Sequence, residues 1–164
     1  MRILTGLALA LISVPALAQT PPGPGGAPAA AAPKIFTSSA EVQQLIAHAR
    51  EIHKDQPLIS QPILSLAPIR ANMEYRTASF QAAVHEKEAE MFYVIDGSGT
   101  IITGGTLKDE KRTNPTNLSG SGIDGGTSRI ISKGDFLIVP EGVPHQLTDI
   151  KGELILMSVH VPRG

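Results

Sequence analysis

Two short segments of this sequence place histidines and a glutamate where metal-ligating chemistry could occur. The first segment starts at His85, crosses a charged stretch, and continues from Glu90 into an apolar run that ends at Gly97. The second leads from Gly134 through an apolar stretch and a Pro-Glu-Gly turn to His145. Two imidazoles and one carboxylate make a facial ligand set suited to a divalent transition metal, with open positions for water or substrate. We therefore predict a metal site of His85, Glu90 and His145, with Glu90 as a ligand or catalytic base.

Local strand geometry indicates how these side chains can meet. His85 should end one strand, residues 86–88 should reverse the chain, and Glu90 should begin the next strand with its carboxylate beside the histidine. Because side chains alternate along a strand, every second residue after Glu90 should share its face. His145 should enter from a neighbouring strand, and Gln146 after it should point to the opposite face.

The elements that must position these residues are mostly short strands. Prolines at positions 57, 62 and 68 favour edge strands and connections. One helix is predicted from Ser38 to about Lys54, because a capping box precedes apolar residues at helical spacing; His48 and His53 on it are assigned no chemistry. Strands rich in β-formers are predicted over residues 73–84, 91–95, 99–103, 129–132, 136–139 and 154–161. Many short strands with the helix confined to one end predict an all-β barrel or jelly roll.

Two further features of the strand region bear on the site. The polar stretch over residues 104–126 is predicted to be an extended loop or mobile hairpin, either a solvated connection or a lid or oligomer contact. His160 lies on the last predicted strand, where it faces either the site or the outside. It is a candidate for supporting the ligands rather than for binding the metal.

The two chemistry-bearing segments resemble the paired motifs of the cupin superfamily. The later part of the first motif is matched by His85, Glu90 and Gly97, while Ala83 stands where the family has its first histidine. The second motif is matched at Gly134, Pro140, Gly142 and His145, with Asp149 where the family often has asparagine. The resemblance extends roughly from Met73 to Val161.

The resemblance implies a cupin double-stranded β-helix, or jelly-roll barrel, with one N-terminal helix and a domain over residues 36–164. It implies a divalent metal, Zn, Mn, Fe, Ni or Cu, at His85, Glu90 and His145, and a small polar molecule as substrate or ligand. Cupins include dioxygenases, isomerases, decarboxylases, lyases and plain binding proteins, so the fold does not name a reaction. The alanine at 83 keeps open a metal-free binding module in which His85, Glu90 and Lys87 hydrogen-bond a carbohydrate or organic acid. A tethered envelope protein with a purely structural role is the third interpretation.

The N-terminus predicts export. Residues 1–18 have the charged start, short apolar centre and Ala-Leu-Ala ending of a secretory signal peptide, and the apolar run is shorter than the roughly 20 residues that cross a bilayer. Residues 19–35 are rich in proline, alanine and glycine and are predicted to be a flexible linker. We expect a periplasmic or secreted protein with no membrane insertion after cleavage.

Composition limits the remaining possibilities. The chain has 164 residues, enough for one compact domain. It has no cysteine, so stability must come from packing, oligomerisation or a bound ion rather than from disulfides. Its 14 basic and 15 acidic residues give no indication of nucleic acid or an anionic membrane as partner. A homodimer formed through exposed sheet edges is the predicted assembly.

Overall fold

The computed structural model describes residues 32–163, in which one helix precedes twelve strands. The predicted signal peptide and most of the predicted linker lie outside this range. The elements are α1 (Ser39–Ile52), β1 (Leu58–Leu66), β2 (Ile69–Arg76), β3 (Ala82–His85), β4 (Glu88–Thr103), β5 (Thr106–Lys108), β6 (Lys111–Asn114), β7 (Asn117–Gly120), β8 (Gly122–Asp124), β9 (Thr127–Ser132), β10 (Phe136–Val139), β11 (His145–Thr148) and β12 (Leu154–Pro162). None of the helical segments in this range is long and apolar enough to cross a membrane.

The predicted helix is confirmed as α1. The Ser38 side chain accepts from the Glu41 N–H while the Glu41 carboxylate accepts from the Ser38 N–H, so both halves of the capping box are present. On its inner face, Ile46 and Ala49 are buried in a cluster that includes Met73 of β2. The helix therefore covers the outer face of the sheet, because alternate residues of β2 point toward it. Lys34 pairs with Ser65 of β1 just before the helix, inside the stretch predicted as linker.

Strand β4 is the central element, because it joins both halves of the barrel. Its first part pairs with β12 and β10, and its second part pairs with β11 and β9. The two strands predicted at 91–95 and 99–103 are thus one bent strand of 16 residues. Gly97 lies at the bend with a φ of 83°, and a Cβ there would come within 2.0 Å of the Glu153 carbonyl oxygen. Only glycine allows the close approach to β12.

All strand pairs are antiparallel, and the main sheet has the order β1-β2-β12-β4-β11-β3-β7-β6. The chain is therefore all-β, as predicted, with β1 and its Pro62 at an edge of the sheet. The main core lies between the two halves and is built around Phe92 and Val94 of β4, with Leu154 and Leu156 of β12. Burial alternates along β4 from Glu90 to Val94, which confirms the predicted face.

One prediction of local structure holds in one of its two alternatives, and another is wrong. Residues 104–126 form a hairpin rather than an extended loop: β5 pairs with β8 and β6 with β7, and Leu107, Leu118 and Ile123 pack on β3 and order the polar stretch. The predicted strand over 73–84 is interrupted between Arg76 and Ala82. The interruption allows Phe80 to line the mouth of the site described next.

Candidate metal centre

The three predicted ligands meet inside the barrel. Glu90 lies on β4 between Val139 of β10 and His160 of β12, and its side chain is buried. His85 ends β3 and His145 begins β11, two strands that pair on the other half of the barrel. Residues from three strands and both motifs therefore converge, as the sequence predicted.

Both imidazoles point at the same carboxylate oxygen. The distance from Glu90 Oε2 is 3.1 Å to His85 Nε2 and 3.0 Å to His145 Nε2. The ligand atoms of a first-row divalent ion lie about 2.0–2.3 Å from it, so any two of them are separated by no more than about 4–5 Å. The ligand atoms of His85, Glu90 and His145 lie within 4.8 Å of one another, which is compatible with such an ion.

The Nδ1 atoms of both imidazole rings face carbonyl oxygens, as is common for histidines that bind metals. His85 Nδ1 lies 3.1 Å from Asn117 Oδ1, and His145 Nδ1 lies 3.3 Å from the Val143 carbonyl oxygen. A carbonyl oxygen only accepts, so each Nδ1 carries a proton; Nε2 then donates to Glu90 when the ring is protonated and presents a lone pair when the ring is neutral. Such a hydrogen bond from the far ring nitrogen is the usual partner of a metal-binding histidine.

The second oxygen of Glu90 has two partners of its own: His160, which sequence analysis named as a candidate for supporting the ligands, and Ser158, which it missed. The Ser158 hydroxyl donates to Oε1 at 2.5 Å, and His160 Nε2 lies 3.3 Å from the same oxygen. Ser158 and His160 lie on β12, two residues apart and on the same face of the sheet as Glu90 of the neighbouring β4. The two-residue spacing was a usable signal, but which face of that strand is buried could not be read from it.

His160 contacts Glu88, which in turn forms an ion pair with Arg70. Its Nδ1 lies 3.0 Å from Glu88 Oε2, and Arg70 donates two hydrogen bonds to Glu88 at 2.9 and 3.0 Å. Sequence analysis placed Glu88 in a turn, whereas it begins β4 and shares the face of Glu90. The donor atoms of His85, Glu88 and His160 also lie within 4.8 Å of one another. Because Glu88 is already paired with Arg70, we interpret Glu88 and His160 as residues that hold Glu90 in place and not as a second metal site.

The pKa values of the site reflect its burial and its charge. Burial alone would raise the pKa of Glu90, but hydrogen bonds from His145 and His85 hold it well below its ordinary value. Burial alone would lower the pKa of His85, but the hydrogen bond and charge of Glu90 outweigh that effect and raise it. Burial dominates at His160 and lowers its pKa. Glu90 is therefore an anion throughout the neutral range.

The site opens into a cavity of about 180 Å³. Ala83, which stands where the motif has its first histidine, pairs with His145 and lines this cavity without offering a ligand atom. Gln146 also borders the cavity and donates through Nε2 to the Phe80 carbonyl at 2.8 Å. Along β11, His145 and Leu147 are buried and Gln146 is half-buried, which agrees with the predicted placement of Gln146 on the face opposite His145.

Comparison with solved structures identifies the fold of this chain. A Bacillus halodurans protein of known structure is 12% identical, with a TM-score of 0.54 over 82% of this chain and 86% of that one. The Cnp3 cupin domain of Schizosaccharomyces pombe is 14% identical, with a TM-score of 0.50 over 66% of each chain. No protein-family model and no curated protein matches the sequence. The strand order and these likenesses show that residues 32–163 have the cupin fold.

Proposed function

We propose that this protein is an exported cupin that binds one divalent transition-metal ion through His85, Glu90 and His145, and uses it to bind or transform a small polar molecule. The observation that carries the proposal is the convergence of two Nε2 atoms on one buried carboxylate oxygen, at 3.0 and 3.1 Å. Both imidazoles have a proton on Nδ1, so in their neutral form the two Nε2 atoms and the carboxylate oxygen supply three lone pairs to a bound ion.

A bound cation is one way to compensate the buried charge of Glu90. A carboxylate as buried as Glu90 is costly to desolvate unless positive charge compensates it. In the metal-free protein a protonated imidazole can supply that charge, whereas a bound ion is coordinated by all three ligand atoms together. Zn, Mn, Fe, Ni and Cu all suit a two-imidazole, one-carboxylate set. When bound, such an ion supplies Lewis acidity toward a carbonyl or enolate oxygen, or a site for dioxygen.

The hydrogen bonds of Glu90 support a role as ligand rather than as free base. Ser158 and His160 occupy Oε1, and the two imidazoles face Oε2. No oxygen of Glu90 is left to take a proton from a substrate without losing one of these described contacts. Of the two roles predicted for this residue, we propose the ligand.

A second candidate function rests on Ala83. Its methyl group lines the cavity where the cupin motif has a histidine, so the site holds one donor fewer than the motif provides. A metal-free barrel that hydrogen-bonds its ligand through His85 and Glu90 is the corresponding function. Lys87, which was predicted to join them, is exposed in the turn after β3.

Elemental analysis separates the two functions. The mature protein, purified without chelators or a histidine tag, is compared with a His85→Ala/Glu90→Ala double variant and with His48→Ala as a control, since His48 is exposed on α1. About one metal ion per chain in the wild type and the control, and none in the double variant, is expected from the ligand set. Absence of metal from all three proteins, even after incubation with each candidate ion, would favour the metal-free barrel.

Export and assembly complete the proposal. We propose that cleavage after Ala18 releases a periplasmic or secreted protein, which forms a homodimer through an exposed sheet edge such as β1. The intact mass and N-terminal sequence of the protein recovered outside the cytoplasm test the cleavage. Sedimentation equilibrium of that mature protein tests the dimer, and a monomer mass at all concentrations would contradict it.

A further inference from the structure

A second pair of charged side chains lines the same cavity as the candidate ligands. Glu74 and Arg76 lie on β2, on the face opposite Met73 and Tyr75, which pack in the cluster beneath the helix. Their side chains are only 9% and 12% exposed. The metal ligands are therefore not the sole polar groups that a molecule in the cavity would meet.

The geometry of this pair leaves hydrogen-bonding capacity unused. Arg76 donates through both Nε and Nη2 to one oxygen of Glu74, Oε2, at 2.9 and 2.7 Å. Among residues 32–163, no hydrogen-bond partner is found for Glu74 Oε1 or for Arg76 Nη1. The pair, which lines the cavity, thus has one acceptor atom and one donor atom that its own hydrogen bonds do not use.

A structural role accounts poorly for the pair. Glu74 and Arg76 are two residues apart on one strand, so their ion pair does not connect separate elements of the fold. Burying both charges carries a desolvation cost, and hydrophobic replacements of buried ion pairs are often neutral or stabilising. Presentation of polar atoms to a ligand explains why such a pair lines the cavity.

The opposite charges of Glu74 and Arg76 indicate what kind of ligand this pair would bind. Because the carboxylate neutralises the guanidinium, this part of the wall has little net attraction for an anion. A hydroxyl group both donates and accepts, so two adjacent hydroxyls can give a hydrogen bond to Glu74 Oε1 and take one from Arg76 Nη1. Phe80, whose side chain is 39% exposed, and the amide of Gln81 also line the cavity, offering an apolar face and further polar atoms.

We propose that Glu74 and Arg76 bind adjacent hydroxyl groups of a small polyhydroxylated molecule, such as a monosaccharide or an alditol. The cavity of about 180 Å³ is smaller than the roughly 300–1,000 Å³ that drug-sized ligands occupy, which fits a molecule of this size. Contact of the same molecule with an ion at His85, Glu90 and His145 rests on the proposed function. The hydroxyl contacts at Glu74 and Arg76 do not depend on the ion.

Calorimetric titration of the mature protein tests the assignment. The probes are D-xylose, D-glucose and D-mannitol, with succinate and malonate as anions of similar or smaller size, each at concentrations up to about 10 mM. The variants are Glu74→Gln and Arg76→Lys, and the control is Arg50→Lys, whose pair with Glu153 lies on the outer surface. At least one polyhydroxylated probe should bind the wild type and the control, and both cavity variants should weaken it by about 10- to 100-fold.

The possible results separate this inference from the proposed function. Arg76→Lys keeps a positive charge beside Glu74, so it provides the comparison should Glu74→Gln unfold. Unchanged affinity in the folded variants, binding of no polyhydroxylated probe, or preferential binding of the dicarboxylates would each overturn the assignment. A protein that takes up no metal but binds a polyhydroxylated probe in a manner sensitive to both variants would overturn the metal proposal alone.

Discussion

Replacement of Ser158 by alanine should weaken the metal site and destabilise the metal-free protein together. The hydroxyl of this fully buried residue donates to Glu90 Oε1 at 2.5 Å, and the remaining partner of that oxygen, His160 Nε2, lies farther away at 3.3 Å. The variant therefore removes the shorter of two contacts that fix the carboxylate. It leaves the three proposed ligands in place.

The expected magnitudes follow from the kind of contact that is lost. A hydrogen bond to a buried charged group contributes about 1.5–3 kcal/mol, so the free energy of unfolding without metal should fall by that amount. Loss of a group that orients a ligand typically lowers metal affinity by about 10- to 100-fold. His160→Gln should act in the same direction with a smaller effect, because its contact with Glu90 is longer.

Two assays measure these quantities separately. Urea denaturation with a chelator present gives the free energy of unfolding of the metal-free protein, and competition against a chromophoric chelator gives the affinity for Zn²⁺. Ser119→Ala is a matched control, since Ser119 is buried on β7 and makes no hydrogen bond to Glu90 among the described residues. A Ser158→Ala protein whose Zn²⁺ affinity stays within about twofold of wild type would refute the reasoning, because the hydrogen bond that orients the Glu90 carboxylate would then have no influence on metal binding.

Three other perturbations test the site and its surroundings. Glu90→Gln should lower Zn²⁺ affinity by more than about 100-fold while the metal-free protein keeps its circular dichroism spectrum, because the amide can donate to the Nε2 atoms of His85 and His145. In the metal-free protein, the stabilisation from Glu90 is present above its unfolded pKa of 4.5 and is lost as pH falls through its lowered folded pKa. The stabilisation from His85 is present below its unfolded pKa of 6.5 and is lost as pH rises through its raised folded pKa. The urea midpoint should therefore be highest between the two unfolded pKa values, 4.5 and 6.5, and it should depend less on pH in Glu90→Gln. Phe92→Ala should cost about 3–5 kcal/mol in urea denaturation, because the ring is 1% exposed at the centre of the core, and a loss below about 1 kcal/mol would contradict that placement.

Local pattern was sufficient for the elements that carry the proposed ligands. The capping box and apolar spacing identified the helix, and alternation along β4 put Glu90 on the buried face. His145 was found because it follows a Pro-Glu-Gly turn, and His85 because its spacing to Glu90 and Gly97 resembles a family motif. These signals lie within a few residues of one another, where backbone geometry alone relates side chains.

The partners that complete the site were decided by the tertiary structure. Ser158 and His160 meet Glu90 and Glu88 across 68 and 72 residues of sequence, through a pairing register that local pattern does not specify. No local sequence pattern marks Glu74 and Arg76, which line the cavity only because the folded sheet brings β2 to it. A shift of one residue in strand register would turn all of these side chains to the other face, so only the assembled sheet determines which polar groups share the cavity.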